Sequence, residues 1–278
     1  MTVLEVLQAT TAYFKKREIE SPRLNAEHLL AHSLGRKRIE LYLEFERALS
    51  EPELAPLREL VRRRGQGEPL QHLLGTVEFC GRVFVCDKRA LVPRPETEEL
   101  LEHLLKMTWP AGARFVDVGT GSGVIALSLA AHFSEAEVHA VDQSEEALEL
   151  AKENAELLRL KGRVRFARSD LLAAVEGNFD LIVANLPYVA TGDRDTLSRE
   201  VLHDPGLAVF GGEDGAEIIR ELIAAAPDHL RPGGLLALEI GLGQAERLSV
   251  LLAEKNFHDI AGIQDYASVT RFLFARYG

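Results

Sequence analysis

The pattern of apolar and polar positions divides the chain into a helical first part and a longer alternating part. Between residues 4 and 14, apolar side chains recur at the spacing of an amphipathic helix. Ser50 and Glu53 have the spacing of a capping box at the start of another helix, and Gly65 ends that segment. We therefore predict a small helical domain over residues 1–65.

A β-hairpin is predicted between the helical domain and the rest of the chain. Residues 78–85 contain β-forming side chains around a glycine, which is typical of two short strands joined by a turn. Pro93 and Pro95 then precede an acidic stretch that favours the start of a helix. We take residues 66–95 as a β-hairpin linker.

From about residue 112 onward, apolar runs that fit buried strands alternate with helical stretches, so residues 96–278 are expected to form an α/β domain. The last two strands are joined by a connection too short for a crossover, so they are predicted to be antiparallel. The predicted strands are 114–118, 138–141, 164–167, 179–184, 235–240, 260–264 and 269–275. The predicted helices between them are 124–132, 144–160 and 216–229.

Composition excludes several classes of protein. The chain has 278 residues, of which 46% are hydrophobic, and this is enough for a packed core. Its mean hydropathy is −0.03 and no apolar run is long enough to span a membrane, so we expect no transmembrane helix and no membrane partner. The first 20 residues lack the apolar region of a secretory signal, and Cys80 and Cys86 are the only cysteines, so we expect a cytoplasmic protein without a metal site.

Charge is unevenly distributed along the chain. The formal net charge is −11, and 30 of the 43 Asp and Glu residues follow residue 90, against 17 of the 32 Lys and Arg residues. This argues against stable nucleic-acid binding, which requires a broad positive surface. A small basic patch at Arg62–Arg64 remains compatible with this, although the same run also fits a solvated helix C-terminus.

A glycine-rich turn is the first motif that points to a ligand. Its residues are Gly119-Thr120-Gly121-Ser122-Gly123, placed between a predicted strand and a predicted helix. Glycines allow the backbone to approach a ligand closely, and a helix N-terminus offers free N–H groups. Val124 stands where a dinucleotide-binding pattern would place its third glycine. The motif therefore favours a ligand built from a nucleoside and an amino acid, although a tight turn alone can also require glycine.

Two acidic residues follow the next two predicted strands. Asp142 ends one of them, at the offset from the glycine turn where a carboxylate accepts hydrogen bonds from both ribose hydroxyls. Asp170 follows the other strand, where it could accept a hydrogen bond from an adenine amino group or cap a helix.

The sharpest motif is Asn185-Leu186-Pro187-Tyr188, directly after an apolar predicted strand. In open α/β sheets, ligands bind at the carboxyl ends of the strands. The Asn185 side-chain oxygen and the Leu186 carbonyl could accept the N–H groups of a planar amide or aniline-like nitrogen, with Tyr188 packed against the plane. Such a site would work by positioning and electrostatics. By itself the motif also fits an Asn-Xaa-Pro turn.

Together these motifs resemble the class I S-adenosylmethionine-dependent methyltransferases. More specifically, the chain resembles the HemK/PrmC family, which methylates the side-chain nitrogen of a glutamine in class 1 peptide chain release factors. The block at Pro93–Glu98 is the most specific part of this resemblance. The matching segments are residues 68–75, 91–98, 117–123, 185–188, 211–215, 231–234 and 238–241.

The resemblance implies a Rossmann-like, seven-stranded class I methyltransferase sheet with an antiparallel last strand. It also implies that S-adenosylmethionine is the methyl donor, that S-adenosylhomocysteine is the product and that the helical domain recognises a release factor. The implied donor-binding residues are Gly119, Thr120, Gly121, Ser122, Gly123, Asp142, Asp170, Leu171 and Asn185. The implied catalytic residues, which also bind the Gly-Gly-Gln glutamine, are Asn185, Leu186, Pro187 and Tyr188.

Three further residues are implied to shape the substrate pocket, or alternatively to cap a helix and form a surface ion pair. They are Arg94, Glu96 and Thr97. One position departs from the family pattern, because Leu186 stands where the family usually has proline. The contact expected there uses a backbone carbonyl, which any residue supplies, so activity is expected to survive.

Alternatives in the same and in other classes remain open. Asn-Leu-Pro-Tyr also resembles the loop of rRNA adenine dimethyltransferases, so one alternative is an adenine N6-type nucleic-acid methyltransferase of the same fold. The negative charge of the later part of the chain disfavours it. A nicotinamide-dependent dehydrogenase is disfavoured by Val124, and a third alternative is a non-catalytic binding protein on the same scaffold.

Overall fold

The computed structural model describes residues 1–278. Its internal contacts divide the chain into two compact units. The first contains Met1–Thr76 together with Ser198–His203, and the second contains Val77–Leu197 and Asp204–Gly278. By contacts, residues 66–76 thus belong with the helical part, and most of the segment predicted as a linker belongs with the α/β part.

The first unit is helical, in agreement with the apolar spacing of its sequence. Ser50 and Glu53 form the predicted capping box, and Thr2 and Glu5 form another. The core consists of fully buried side chains such as Leu7 and Phe14 from the first helix. The helices are α1 (Val3–Lys16), α2 (Pro22–Ser33), α3 (Arg38–Leu41), α4 (Glu51–Gly65) and α5 (Leu70–Leu74).

A buried arginine holds the short segment Ser198–His203 within the first unit. The Arg64 side chain is 3% exposed, and its Nε donates a hydrogen bond to Asn25 Oδ1 over 2.6 Å. Its Nη2 forms an ion pair with Glu200. A buried guanidinium without a partner would be strongly unfavourable. The ion pair with Glu200 therefore stabilises the packing of this segment in the first unit.

The second unit is built on a seven-stranded mixed sheet in the order β5-β4-β3-β6-β7-β9-β8. β3 to β7 are parallel to one another, whereas β9 is antiparallel to both β7 and β8. This confirms the predicted α/β fold with an antiparallel last strand. The strands of the sheet are β3 (Arg114–Val118), β4 (Glu137–Asp142), β5 (Val164–Arg168), β6 (Phe179–Asn185), β7 (Leu230–Glu239), β8 (Phe257–Gln264) and β9 (Thr270–Tyr277).

Helices cover both faces of this sheet, and the predicted hairpin precedes it as β1 (Thr76–Phe79) and β2 (Arg82–Val85). The α-helical part of the predicted helix 216–229 ends at Ala225 and continues as a 3₁₀-helix, because Pro227 lacks the N–H group that an α-helix requires. The helices are α6 (Pro95–Leu105), α7 (Val124–His132), α8 (Glu145–Leu157), α9 (Glu217–Ala225) and α10 (Ala245–Glu254). None of the helices in the structure combines the length and apolarity needed to cross a membrane.

The register of the parallel strands places the candidate residues at one edge of the sheet. Val118, at the end of β3, pairs with Val141 and Ala184. Asn185 ends β6 and is in register with Glu239, which ends β7. Side chains from the ends of several strands therefore meet at this carboxyl edge.

Candidate active site

A cleft of about 380 Å³ opens at the carboxyl edge of the sheet. A cleft of this size at this edge is typical of small-molecule sites in open α/β sheets. It brings together most of the residues that the sequence singled out. Those in its wall are Arg94, Thr97, Gly119, Thr120, Gly121, Ser122, Asp142, Asp170, Leu171, Asn185, Leu186 and Pro187.

The glycine turn, which follows β3, forms part of the wall of the cleft. Gly119 and Gly121 have φ values of +73° and +55°, which other residues rarely adopt. A Cβ on Gly119 would lie 2.8 Å from the Cδ2 atom of Leu186, so the turn and the loop after β6 pack directly against each other. Gly123 is outside the wall; a Cβ there would meet Ala151 at 3.1 Å, so this glycine allows close helix packing.

Asp142 faces the cleft with both carboxylate oxygens held by backbone groups. Oδ2 accepts a hydrogen bond from Gly121 N and Oδ1 accepts one from Ser144 N, each at 2.9 Å. Burial raises the pKa of this carboxyl above its ordinary value. A carboxylate offers about four lone-pair positions, so each oxygen can accept a further hydrogen bond from a diol. This arrangement fits a ribose.

Asp117, beneath the turn, was not singled out from the sequence. Its Oδ2 accepts hydrogen bonds from Thr120 Oγ1 at 2.7 Å and from Ala126 N at 3.1 Å, whereas its buried Oδ1 has no partner. Burial, with a smaller contribution from the nearby charge of Asp142, raises the pKa of Asp117 to about 7. The side chain thus holds the turn while carrying an unsatisfied buried oxygen.

Asn154 on α8 was also missed, because a single asparagine in a helical pattern gives no distinct signal. It is fully buried, and its Nδ2 donates a hydrogen bond to Ser122 O over 2.9 Å. The same amide exchanges hydrogen bonds with the backbone of Val85 on β2. Asn154 therefore connects the hairpin to the glycine turn.

Asp170 and Leu171 lie in the wall of the cleft after β5. Asp170 is exposed, and Leu171 has a left-handed φ of 45°, so the chain turns sharply here. This position leaves the Asp170 carboxylate accessible to a ligand in the cleft.

The loop after β6 brings Asn185, Leu186 and Pro187 into the wall of the cleft, whereas Tyr188 is not part of that wall. The Asn185 Nδ2 donates a hydrogen bond to Thr97 Oγ1 over 2.9 Å. The Tyr188 hydroxyl donates one to Glu239 Oε1 over 3.3 Å. Burial and the Glu239 charge raise the pKa of Tyr188, so its hydroxyl stays protonated at neutral pH.

Glu239 is the main site-adjacent residue that the sequence analysis did not assign. It is 1% exposed, and its Oε2 accepts a hydrogen bond from Thr97 Oγ1 over 2.8 Å. Burial, with a smaller contribution from the charge of Glu96, raises the pKa of this carboxyl to about 7. The sequence did contain a signal for Glu239, because this glutamate follows the apolar run of a predicted strand. In a parallel sheet, the carboxyl end of that strand lies at the same edge as Asn185.

Arg94 and Glu96 occupy different positions around the cleft. Arg94 is in the wall and forms an ion pair with the buried Asp204, with 2.6 Å between Nη2 and Oδ2. Asp204 also accepts a hydrogen bond from Val92 N at 3.1 Å, so the pair connects the segment before α6 to the loop that contains Asp204. Glu96 is outside the wall, and its charge acts on Glu239 and Tyr188.

Comparisons with known proteins identify the family. The profile of the PrmC N-terminal domain matches residues 5–75, and that of the methyltransferase small domain matches residues 95–205. A release factor glutamine methyltransferase of Geobacter sulfurreducens is 40% identical over 279 residues, covering 100% of this chain and 97% of the relative. The chain belongs to the release factor glutamine methyltransferase family.

A second relative agrees with this assignment, and two solved structures agree with the fold. The release factor glutamine methyltransferase of Deinococcus radiodurans is 43% identical, covering 91% of this chain and 90% of its own. A methyltransferase from Pyrococcus furiosus has a TM-score of 0.53 at 25% identity, covering 70% of this chain and 88% of its own. The Thermus thermophilus 16S rRNA N2 G1207 methyltransferase, solved with AdoMet and guanosine, has a TM-score of 0.53 at 23% identity. The match covers 73% of this chain and 50% of that one, and it shows the fold alone. This chain is thus a methyltransferase of the release factor glutamine methyltransferase family.

Proposed function

We propose that this methyltransferase transfers a methyl group from S-adenosylmethionine to the side-chain amide nitrogen of the glutamine in the Gly-Gly-Gln motif of class 1 peptide chain release factors. The observation that carries the proposal is the hydrogen-bonded Asn185 amide at the rim of the cleft, in a chain whose relatives of this name match over nearly its full length.

The residues of the cleft fit the donor that the resemblance implies. Asp142 would accept the ribose hydroxyls through the lone pairs that its two backbone partners leave free. The backbone of Gly119–Ser122 would lie along the amino-acid part, and Asp170 and Leu171 would flank the adenine. When bound, the donor supplies a methyl group activated by a sulfonium. S-Adenosylhomocysteine would then be the product left in the cleft.

On the substrate side, Asn185 and Leu186 act by positioning. An amide nitrogen is a weak nucleophile because its lone pair is delocalised into the carbonyl group. Asn185 Oδ1 and the Leu186 carbonyl would accept the two N–H groups of the glutamine and hold its nitrogen towards the cleft. Tyr188 connects this loop to the end of β7 through its hydrogen bond to Glu239. Arg94 and Thr97 line the same cleft, and Glu96 adds negative charge close by.

Mass spectrometry tests the proposal directly. A purified release factor is incubated with the enzyme and S-adenosylmethionine, and its Gly-Gly-Gln peptide should gain one methyl group. Ribosomal RNA is offered in a parallel reaction, because the alternative is an adenine N6-type RNA methyltransferase. Methylation of the RNA without methylation of the release factor would reject the proposal.

The Asn185→Ala variant separates catalysis from donor binding. Removing the amide should lower kcat about 10²-fold or more, because a comparable acceptor or donor group at a reacting centre contributes that much. Calorimetry should show that the variant still binds the donor, because Asp142, Asp170 and the glycine turn are unchanged. Asn178→Ala is the control, since Asn178 is exposed and uses only its backbone carbonyl in a contact with Arg114. Unchanged turnover in Asn185→Ala would contradict the positioning role.

A further inference from the structure

Three side chains form a continuous row of hydrogen bonds behind the cleft. Asn185 Nδ2 donates to Thr97 Oγ1 over 2.9 Å, and Thr97 Oγ1 donates to Glu239 Oε2 over 2.8 Å. Thr97 is 3% exposed and Glu239 is 1% exposed, so water does not compete for these bonds. The row starts in the loop that contains the candidate catalytic residues and ends at β7.

The chemistry of these groups gives the row a direction. When Glu239 is ionised, its carboxylate can only accept hydrogen bonds, and the single hydroxyl proton of Thr97 is then committed to it. The Thr97 oxygen is then left as an acceptor, and Asn185 must present its NH₂ end to it. The Asn185 oxygen is therefore the end of the amide that remains available on the cleft side.

The surroundings keep the Glu239 carboxylate in place. Its other oxygen, Oε1, accepts the hydrogen bond from the Tyr188 hydroxyl over 3.3 Å, so both oxygens have defined partners. Burial and the charge of Glu96 raise the pKa of Glu239, whereas the hydrogen bonds from Thr97 and Tyr188 and the charge of Arg271, on the neighbouring strand β9, favour its ionised form.

We propose that Glu239, acting through Thr97, is a positioning residue that determines which end of the Asn185 amide faces the substrate. The inference rests on the proposed function, because an oxygen facing the cleft matters only if the substrate presents N–H groups. Glu239 does not touch the substrate; it fixes the acceptor that does.

Replacing Glu239→Gln tests the direction of the row. The new NH₂ group can donate to Thr97, which frees the Thr97 proton to be donated to Asn185 and so favours the reversed amide. We expect kcat to fall about 10²-fold, the scale on which a misplaced reacting group lowers turnover. The affinity for S-adenosylmethionine, measured by calorimetry, should stay at the wild-type value. Glu246→Gln is the matched control on an exposed surface of α10 and should keep wild-type kcat.

Variants of Thr97 test the same inference without removing a carboxylate. Thr97→Val keeps the shape but removes the hydroxyl, so kcat should fall as it does in Glu239→Gln. Thr97→Ser restores the hydroxyl and should return kcat close to the wild-type value. If Glu239→Gln does not fold, the comparison of Thr97→Val with Thr97→Ser tests the inference without it. Equal kcat in the valine and serine variants, or wild-type kcat in a folded Glu239→Gln enzyme, would overturn the inference.

The proposed function can fail separately from this inference. Each variant is assayed with the substrate that the wild type methylates, whether that is the release factor or the RNA of the parallel reaction. A wild type that methylates only RNA rejects the proposed substrate, whereas the ratio of variant to wild-type kcat still tests the role of Glu239.

Discussion

At the scale of single residues, the unusual feature of the site is that two carboxyl groups are buried beside it and neither forms an ion pair. Burial raises the pKa of Asp117 and of Glu239 to about 7 each. Glu239 has partners for both oxygens, whereas Asp117 has one oxygen without a partner. Such groups lower stability when they ionise, and this cost is tolerated where a site needs a buried acceptor.

The Asp117→Asn variant should therefore be more stable than the wild type at pH 8 in the absence of ligand. Because the folded pKa of Asp117 lies above its unfolded value, its contribution to stability is fully present below the unfolded pKa, near 3.8, and is lost as the pH rises towards about 7. The asparagine can keep the hydrogen bonds from Thr120 and Ala126 and carries no charge. Since 1 kcal/mol corresponds to about 2–4 °C in a large domain, Tm should rise by several degrees.

Thermal unfolding at pH 5 and pH 8 checks this expectation. The difference in Tm between Asp117→Asn and the wild type should be large at pH 8 and clearly smaller at pH 5, because at pH 5 the loss of stability that begins near pH 3.8 is only partly complete. Asp228→Asn serves as the control on an exposed 3₁₀-helix. A destabilised asparagine variant at pH 8 would mean that the ionised carboxylate stabilises the turn.

At the scale of elements, the loop after β6 is supported by a glycine-rich segment at residues 209–215. Val189 N donates a hydrogen bond to Val209 O over 3.1 Å, and Gly211 N donates one to Val189 O over 2.9 Å, as in a short parallel bridge. A Cβ on Gly211 would overlap the Pro187 carbonyl oxygen. This contact explains why glycine is required there and how a distant segment positions the loop.

The Gly211→Ala variant should accordingly displace the loop and lower kcat by about 10-fold or more, since overpacking costs about 1–3 kcal/mol. Gly192→Ala is a close control, because Gly192 lies in the same long connection and has nothing within 4 Å of its added Cβ. Both glycines lack a positive φ, so backbone strain does not confuse the comparison. Steady-state kinetics would contradict this account if the two variants lost activity to the same extent.

Elements with a continuous apolar signal were predicted well. β3 was predicted with its observed bounds, Arg114–Val118, and α7 with its observed bounds, Val124–His132, because each is an apolar run bounded by glycine or by a loop. β7 begins five residues earlier than predicted, at Leu230. Pro232 and Gly233 disfavour a strand locally, so no strand was predicted there, but pairing with β6 extends β7 to Leu230. Local propensity carries no information on pairing between distant segments.

The same distinction holds for the site. Residues that belong to a local motif, such as the glycine turn and Asn185, were predicted from their spacing along the chain. Asn154 and Glu239 were not assigned, because their partners lie 32 or more residues away along the chain and depend on register. Contacts of this kind become visible only when the strands are paired.

At the scale of the whole molecule, the chain combines a helical unit with an α/β unit that has its own two apolar cores and the complete cleft. Each residue of the cleft wall belongs to Val77–Leu197 or to Asp204–Gly278. A chain that begins at Val77 should therefore keep donor binding, whereas recognition of a large protein substrate should suffer if the helical unit contacts it.

The expected outcome of this truncation depends on substrate size. With an intact release factor, kcat/KM should fall at least about 10-fold, which corresponds to a loss of about 1.4 kcal/mol of substrate contact. With a short peptide that contains Gly-Gly-Gln, the full-length and truncated enzymes should have similar kcat/KM, because the peptide reaches only the cleft. Calorimetry with S-adenosylmethionine confirms that the truncated chain is folded. An equal fall in kcat/KM on both substrates would contradict this account. The peptide is too small to contact the helical unit, so such a result would mean that the truncation had damaged the cleft itself.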